Sequence, residues 1–388
     1  MISHRRSSIF LLPLLLVASR SPAAPPGKGE ETRWRDVLAL GVEGKGWADT
    51  KSPFDRLPAR AEGIVRPPVW DLSRHSAGMS VRFVTDAPRV SVRWTLTSER
   101  LAMPHMPATG VSGIDLYVRR DGRWHFLAVG QPTRHPTNEV VLIRGLEPKD
   151  AEYRLYLPLY NGVARVEIGV PEDASFRPVG PADPGIKPVV IYGTSITQGG
   201  CASRPGMAYP AILGRRFGVP VVNLGFSGNG KTEPEMARLL AELEPAAFVL
   251  DSLPNLTTAE VGERLPGFLE ALRARHPEVP ILLVENLVYT DAPFVAVRAQ
   301  RVDGSNALLR KIHAERVAHG DRRITLVPAS DLIGSDGEAT VDGVHPNDIG
   351  FLRMADAIEP YLRKAIESSL IPPRRGSYRE DPEETRIR

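Results

Sequence analysis

Five short apolar runs, each followed by a stretch with helical spacing, constrain the second half of this chain more than any other feature. The runs are VVIY (189–192), VPVVNL (219–224), AAFVLD (246–251), VPILLVEN (279–286) and RITLVP (323–328). Between them, YPAILGRRF and EMARLLAEL read as helices. Leu265, Phe268, Leu269 and Leu272 recur on one helical face, Leu308, Leu309 and Ile312 mark another helix, and a last one runs from about Asn347 into the 360s. Fully apolar strands alternating with helices require a parallel sheet covered on both faces, hence a three-layer α/β/α domain. Such sheets place their sites at the carboxyl ends of the strands.

The preceding segment follows a different period. In RVSVRWTLT, Val90, Val92, Trp94 and Leu96 alternate with polar residues, as in a half-buried strand. GIDLYVRRDGRWHFLAVG holds two such runs around Asp121-Gly122, a hairpin signal because both turn positions need positive φ. EYRLYLPLY and ARVEIGV add two more, and short strands at this spacing suggest an all-β sandwich or jelly roll over 30–171. Prolines at 171, 178, 181, 184 and 188 exclude a continuous helix or central strand. Residues 172–187 are therefore read as a linker, 188–370 as the α/β domain, and the charged residues 371–388 as a disordered tail.

Residues 1–24 read as a cleaved signal peptide: His4, Arg5 and Arg6, then the apolar IFLLPLLLVA, then Ala23 and Ala24. The expected location is secreted or periplasmic, with no transmembrane segment in the mature chain. The single cysteine, Cys201, excludes an intrachain disulfide and reads as a small buried hydrophobe. With 49 basic and 46 acidic side chains, the charge gives no electrostatic argument for nucleic acid.

Three stretches can carry chemistry. In VVIYGTSITQGG, Ser195 lies just past a strand, where a hydroxyl can stand exposed as a nucleophile. In DGVHPND, His345 can serve as its base, and Asp342 can hold Nδ1–H so that Nε2 faces the serine. Taken alone, Asp342 and Asp348 also read as caps and His345 as a surface residue. The third stretch is ambiguous. GFSGNGKT (225–232) matches the phosphate-binding P-loop pattern, and Asp251 ends the next run where a magnesium-positioning aspartate would stand. Against a nucleotide-binding enzyme, Pro234 falls inside the helix a P-loop requires, the export signal leads away from nucleotides, and Ser195, Asp342 and His345 are left unused. Read instead as part of a hydrolase, Gly228 N–H, the Asn255 amide and Ser195 N–H supply three donors to an oxyanion.

Nucleophile Ser195, oxyanion Gly228, oxyanion Asn255 and the D-x-x-H pair Asp342/His345 occur in that order on matching elements. In this the second domain resembles the SGNH subgroup of GDSL-type esterases, with GTSIT standing where that family has G-D-S-L. GIDLY (113–117) is similar to the G-x-D-L-Y signature of a β-sandwich that precedes bacterial SGNH hydrolases. The resemblance implies a flavodoxin-like domain hydrolysing an ester, often an acetyl group on a carbohydrate, by a Ser-His-Asp mechanism without metal or cofactor. The partner is then a small-molecule ester or acetylated glycan. A non-catalytic carbohydrate-binding protein is the remaining alternative. His105, in the Pro-bounded MPHMPATG loop (103–110), and Glu285 and Asn286, at the end of the fourth run, are candidate substrate contacts; the loop also reads as one packed between domains, and strand-end capping explains Glu285 and Asn286 equally. Trp47, Trp70, Trp94 and Trp124 can form a sugar platform but in a sandwich are more often core.

Overall fold

Alternating side chains build the first domain as two antiparallel sheets. Its strands are β1 (Thr32–Asp36), β2 (Val42–Glu43), β3 (Ser80–Thr85), β4 (Arg89–Leu96), β5 (Ile114–Arg120), β6 (Arg123–Gly130), β7 (Thr137–Arg144), β8 (Ala151–Tyr156), β9 (Val163–Pro171) and β10 (Phe176–Pro178). One sheet has the order β1-β9-β4-β7, the other β10-β3-β8-β5-β6 with β2 paired to β3. Val90, Val92, Trp94 and Leu96 of the first sheet pack in one core with Phe83, Ile114, Leu116 and Leu155 of the second, giving a sandwich. The β5–β6 turn holds Asp121 at φ 51° and Gly122 at φ 75°, as its Asp-Gly pair requires. This computed structural model describes residues 31–179 and 186–370. The signal-peptide and tail assignments lie outside the described residues.

The second domain contains β11 (Val189–Gly193), β12 (Val221–Gly225), β13 (Ala247–Asp251), β14 (Ile281–Val284) and β15 (Ile324–Val327). They form one parallel sheet in the order β12-β11-β13-β14-β15, the 2-1-3-4-5 flavodoxin-like arrangement. The α-helices among the described residues are α1 (Pro67–Ser73), α2 (Ala108–Val111), α3 (Ser195–Gln198), α4 (Tyr209–Phe217), α5 (Pro234–Leu240), α6 (Thr258–Arg275), α7 (Ala296–Ala318) and α8 (Asp348–Leu370). Val189 and Ile191 of β11 pack under α4 and α8; Val190 and Tyr192 face the layer of α5, α6 and α7. No helix among the described residues is long and apolar enough to cross a membrane.

Two boundaries differ from the sequence reading. The sandwich extends into the proline-rich stretch, because β10 pairs with Thr85–Phe83 of β3; Pro178 is tolerated there at the edge of the sheet. More consequentially, the segment between β2 and β3 leaves the sandwich and covers the second domain. Trp47, Leu57, Ala61, Val65, Val69 and Trp70 share a core with Val190, Tyr192, Val222 and Phe226. Burying each large side chain here contributes roughly 1.5–3 kcal/mol, while Phe54 of the same segment stays in the sandwich core.

The GIDLY strand supplies a second fastening. Asp115, wholly buried, accepts from Arg204 Nη1 at 2.7 Å and from Gly206 N at 3.1 Å. Tyr117 Oη accepts from Arg204 at 2.5 Å, and the guanidinium stacks 3.8 Å above the Phe126 ring. Arg204 and Gly206 belong to the segment that follows α3, so the signature fixes the approach of the second domain's first loop.

Candidate active site

Thr194, extended at φ −106°, caps a one-turn helix that begins at Ser195; its hydroxyl accepts from Ile196 N. The sequence suggested an exposed loop serine; instead Ser195 sits at the first helical position with 8% of its surface exposed. A first-turn N–H has no helical acceptor, and among the described residues that of Ser195 has none. Gly225 makes the close approach of α3 possible: a Cβ there would stand 2.1 Å from Gln198 N. Tyr160, from the sandwich, donates its hydroxyl to Ser195 C=O at 3.2 Å.

Gly228 lies in the turn after β12 at φ 68°, and its N–H likewise has no intramolecular acceptor among the described residues. The turn around it is tightly held. Asn229 and Gly230 N–H both donate to Phe226 C=O, at 2.8 and 2.9 Å, and Ser227 N donates to Gln198 Oε1 at 3.0 Å. Arg66 of the covering segment grips Asn229 Oδ1 at 2.7 Å and Glu233 Oε1 at 2.7 Å. Asn255 follows β13 in a short 3-10 turn. With Oδ1 turned to the N–H groups of Asn229 (3.0 Å) and Gly230 (3.1 Å), its amide satisfies both sides and Nδ2 is left on the opposite side to donate.

This geometry corrects the phosphate-loop reading of 225–232. The helix starts only at Pro234, with that proline in its first turn, so Gly230, Lys231 and Thr232 stand outside it. Thr232 is buried at φ 51° with its N–H on Tyr192 Oη at 2.9 Å. Asp251 is turned into the core: it is buried and accepts from Thr197 Oγ1 and Tyr209 Oη, both at 3.0 Å.

The third loop completes the cluster. Ser195 Oγ and His345 Nε2 are 2.9 Å apart, and His345 Nδ1 lies 2.7 Å from Asp342 Oδ2. Asp342 Oδ1 also accepts from the N–H groups of His345 (2.8 Å) and Val344 (3.1 Å). Partial burial tends to raise this carboxyl, but those hydrogen bonds hold it below the ordinary aspartate value, so it stays ionised. The loop is anchored where α8 begins: Asp348 accepts from Ser203 N at 2.9 Å and Ser203 Oγ at 2.5 Å. A hydroxyl, imidazole and carboxylate linked in this order can pass a proton from oxygen to nitrogen, and the unpaired N–H of Ser195 belongs to the same residue as the hydroxyl.

The remaining candidates divide. His105 is exposed, and its ring centroid lies 5.9 Å from that of His345, so the sandwich loop does reach the site. Glu285 and Asn286 are corrected. Both are buried to within 1%: Glu285 binds Arg310 (2.6 and 2.9 Å) and Ala329 N (2.9 Å), and Asn286 binds Asn306 and Tyr289. Their bonds join the end of β14 to α7, and burial keeps both from the surface. Trp47, Trp70 and Trp94 are buried and Trp124 lies under Arg154, so no aromatic platform forms from them. Cys201 is buried, and burial together with the Asp342 charge pushes its thiol up to about 12. Sequence reasoning missed Gln198, which donates to His75 Nδ1 (3.1 Å) and Leu159 C=O (3.0 Å) while accepting from Ser227 N. Its place three residues after Ser195 was the one available signal.

A profile described as the GDSL-like lipase/acylhydrolase family matches residues 186–363, and the GxDLY profile, the N-terminus of Esterase_SGNH_hydro-type, matches residues 32–176. No curated protein matches the chain. Among solved structures, a protein from Bacteroides ovatus described as a GDSL-like lipase is 34% identical; the match covers 87% of this chain and 98% of that one, with a TM-score of 0.82. The salicylyl-acyltransferase SsfX3 from a tetracycline biosynthetic pathway shares the fold at 20% identity, 86% and 97% coverage and a TM-score of 0.70. A family two carbohydrate esterase from Cellvibrio japonicus shares it at 14% identity, 87% and 98% coverage and a TM-score of 0.55. On the profile matches and the Bacteroides relative, this chain belongs to the GDSL-like lipase/acylhydrolase family, with a GxDLY-type sandwich as its N-terminal domain.

Proposed function

We propose that this protein is an exported serine esterase that removes O-acetyl groups from a carbohydrate. The observation that carries the reading is the continuous chain Ser195 Oγ–His345 Nε2 at 2.9 Å and His345 Nδ1–Asp342 Oδ2 at 2.7 Å. In the proposed reaction Ser195 Oγ attacks the acyl carbon while its proton passes to His345 Nε2. Asp342 holds Nδ1–H and stabilises the imidazolium. Ser195 N–H, Gly228 N–H and Asn255 Nδ2 receive the oxyanion. His345 then protonates the departing alcohol, and water, deprotonated by the same imidazole, hydrolyses the acyl-enzyme to carboxylate and free Ser195.

The slight exposure of Ser195 favours a small acyl group. The fold shared with family two carbohydrate esterases favours a sugar as the alcohol, and the His105 ring, 5.9 Å from that of His345, supports a contact with it. The basic, apolar and small residues of 1–24 support export. Screening acetylated glycans for released acetate, beside p-nitrophenyl acetate, tests the substrate. Ser195→Ala should fold normally, lose nearly all turnover and lose labelling by a fluorophosphonate. Turnover retained in that variant would assign the nucleophile elsewhere, and no labelling of the parent protein would leave a binding module.

A further inference from the structure

Arg56 comes from the segment that the first domain lends to the second, and it is 2% exposed. Its partners are all backbone carbonyls: Leu72 (2.6 Å), His75 (3.0 Å), Asn223 (3.2 Å) and Gly225 (2.6 Å). The guanidinium also lies 4.9 Å from the centroid of the Phe226 ring. No carboxylate pairs with it among the described residues. A fully buried cation without an anion is costly, and proteins usually pair it. Here the four carbonyl dipoles and one ring face offset part of the desolvation and leave the net charge uncancelled.

The location gives that charge a use. Gly225 and Phe226 lead directly into the turn that carries Gly228. Burial and then the Arg56 charge push His75 down to about 3, so its imidazole is neutral. Neutral Nδ1 can accept from Gln198 Nε2, and Gln198 Oε1 in turn accepts from Ser227 N, the N–H just before Gly228. One guanidinium thus braces the turn directly and, through His75 and Gln198, joins it to the last residue of the nucleophile's helix.

We propose that Arg56 is a positioning residue whose uncompensated charge also stabilises, through the low-dielectric core, the oxyanion formed beside Ser195 and Gly228. This rests on the esterase reading. The oxyanion is then the counter-ion the guanidinium lacks in the resting protein. A fixed cation of this kind acts on the transition state more than on the neutral bound ester.

The test compares Arg56→Met and Arg56→Lys with the parent in the full chain, on p-nitrophenyl acetate and with an alkyl boronic acid. The boronic acid bonds to a serine oxygen as a tetrahedral anion. Wild-type turnover, abolished by Ser195→Ala, is the control; its absence would refute the esterase reading itself. With that control met, Arg56→Met should lower kcat and boronate affinity by about tenfold or more each, with KM within about threefold. Arg56→Lys, which keeps the charge and loses the fork, should recover most of both despite unfolding at a lower temperature. Equal losses in the two variants, or a fall in kcat without a fall in boronate affinity, would overturn the electrostatic role. Should Arg56→Met yield no folded protein, Arg56→Lys decides alone: kcat within about threefold of the parent supports the proposal, and a loss of about tenfold or more refutes it.

Discussion

The Asp115–Arg204 contact gives a sharp measure of how the two domains hold together. Asp115 is wholly inaccessible, and Arg204 has 17% of its side chain exposed. Replacing Asp115 with Ala leaves the guanidinium with only the Tyr117 hydroxyl and two aromatic faces, and it orphans Gly206 N–H. Removing one partner of a buried pair costs about 3–5 kcal/mol. Arg204 can recruit some water through its exposed edge, which places the expected loss near the low end, about 3 kcal/mol. Urea denaturation of Asp115→Ala, Arg204→Ala and the double variant measures it. The double variant should lose markedly less than the sum of the two singles, because each single leaves an uncompensated group that the other mutation removes. A loss below about 1 kcal/mol for Asp115→Ala, or additivity to within about 0.5 kcal/mol, would refute the argument that this contact is a buried ion pair joining the domains.

Two further outcomes follow from the site. Asn255→Ala should lower kcat for acetyl ester hydrolysis by roughly 100-fold with KM nearly unchanged, the usual consequence of losing one oxyanion donor; a KM effect alone would make Asn255 a binding group. Burial raises the Asp251 carboxyl to about 7 against the opposing hydrogen bonds of Thr197 and Tyr209. Because the folded pKa exceeds the unfolded one, its stabilisation is complete below about pH 4 and is lost as pH rises through about 7. Asp251→Asn removes that dependence, so its stability relative to the parent should increase between pH 5 and pH 8 by roughly 3 kcal/mol in urea denaturation. A difference that does not change with pH would show that the carboxyl is already ionised at the lower value.

The layout of the second domain was legible because burial on both faces writes itself as unbroken apolar runs. Val189–Gly193 and its four parallel companions formed where those runs lay, and Leu265, Phe268, Leu269 and Leu272 all turned inward on α6. The order of Ser195, Gly228, Asn255 and Asp342/His345 was legible because strand ends in such a sheet lie side by side. Contacts that need a partner distant in sequence were not. An apolar Leu57 or Trp70 does not state which domain it will enter, so the covering segment read as part of the sandwich. Glu285 and Asn286 looked available because polar residues at a strand end are ambiguous until the helix beside them is placed. Arg56 resembled any other arginine among the chain's 49 basic residues, since nothing local announces that four carbonyls from two segments will surround it. Residues 176–178 were hidden by the neighbouring prolines, which are compatible with an edge strand as well as with a linker.

The covering segment also bears on how such a protein can be recombined. A cut near residue 180 looks natural in the sequence, but it would strip the catalytic half of Trp47, Leu57 and Trp70 and bare an oily face of its sheet. A foreign sandwich grafted at that point would have to supply this patch and the arginine beneath the nucleophile's neighbour. Separating the two halves would therefore cost the second one part of its own core.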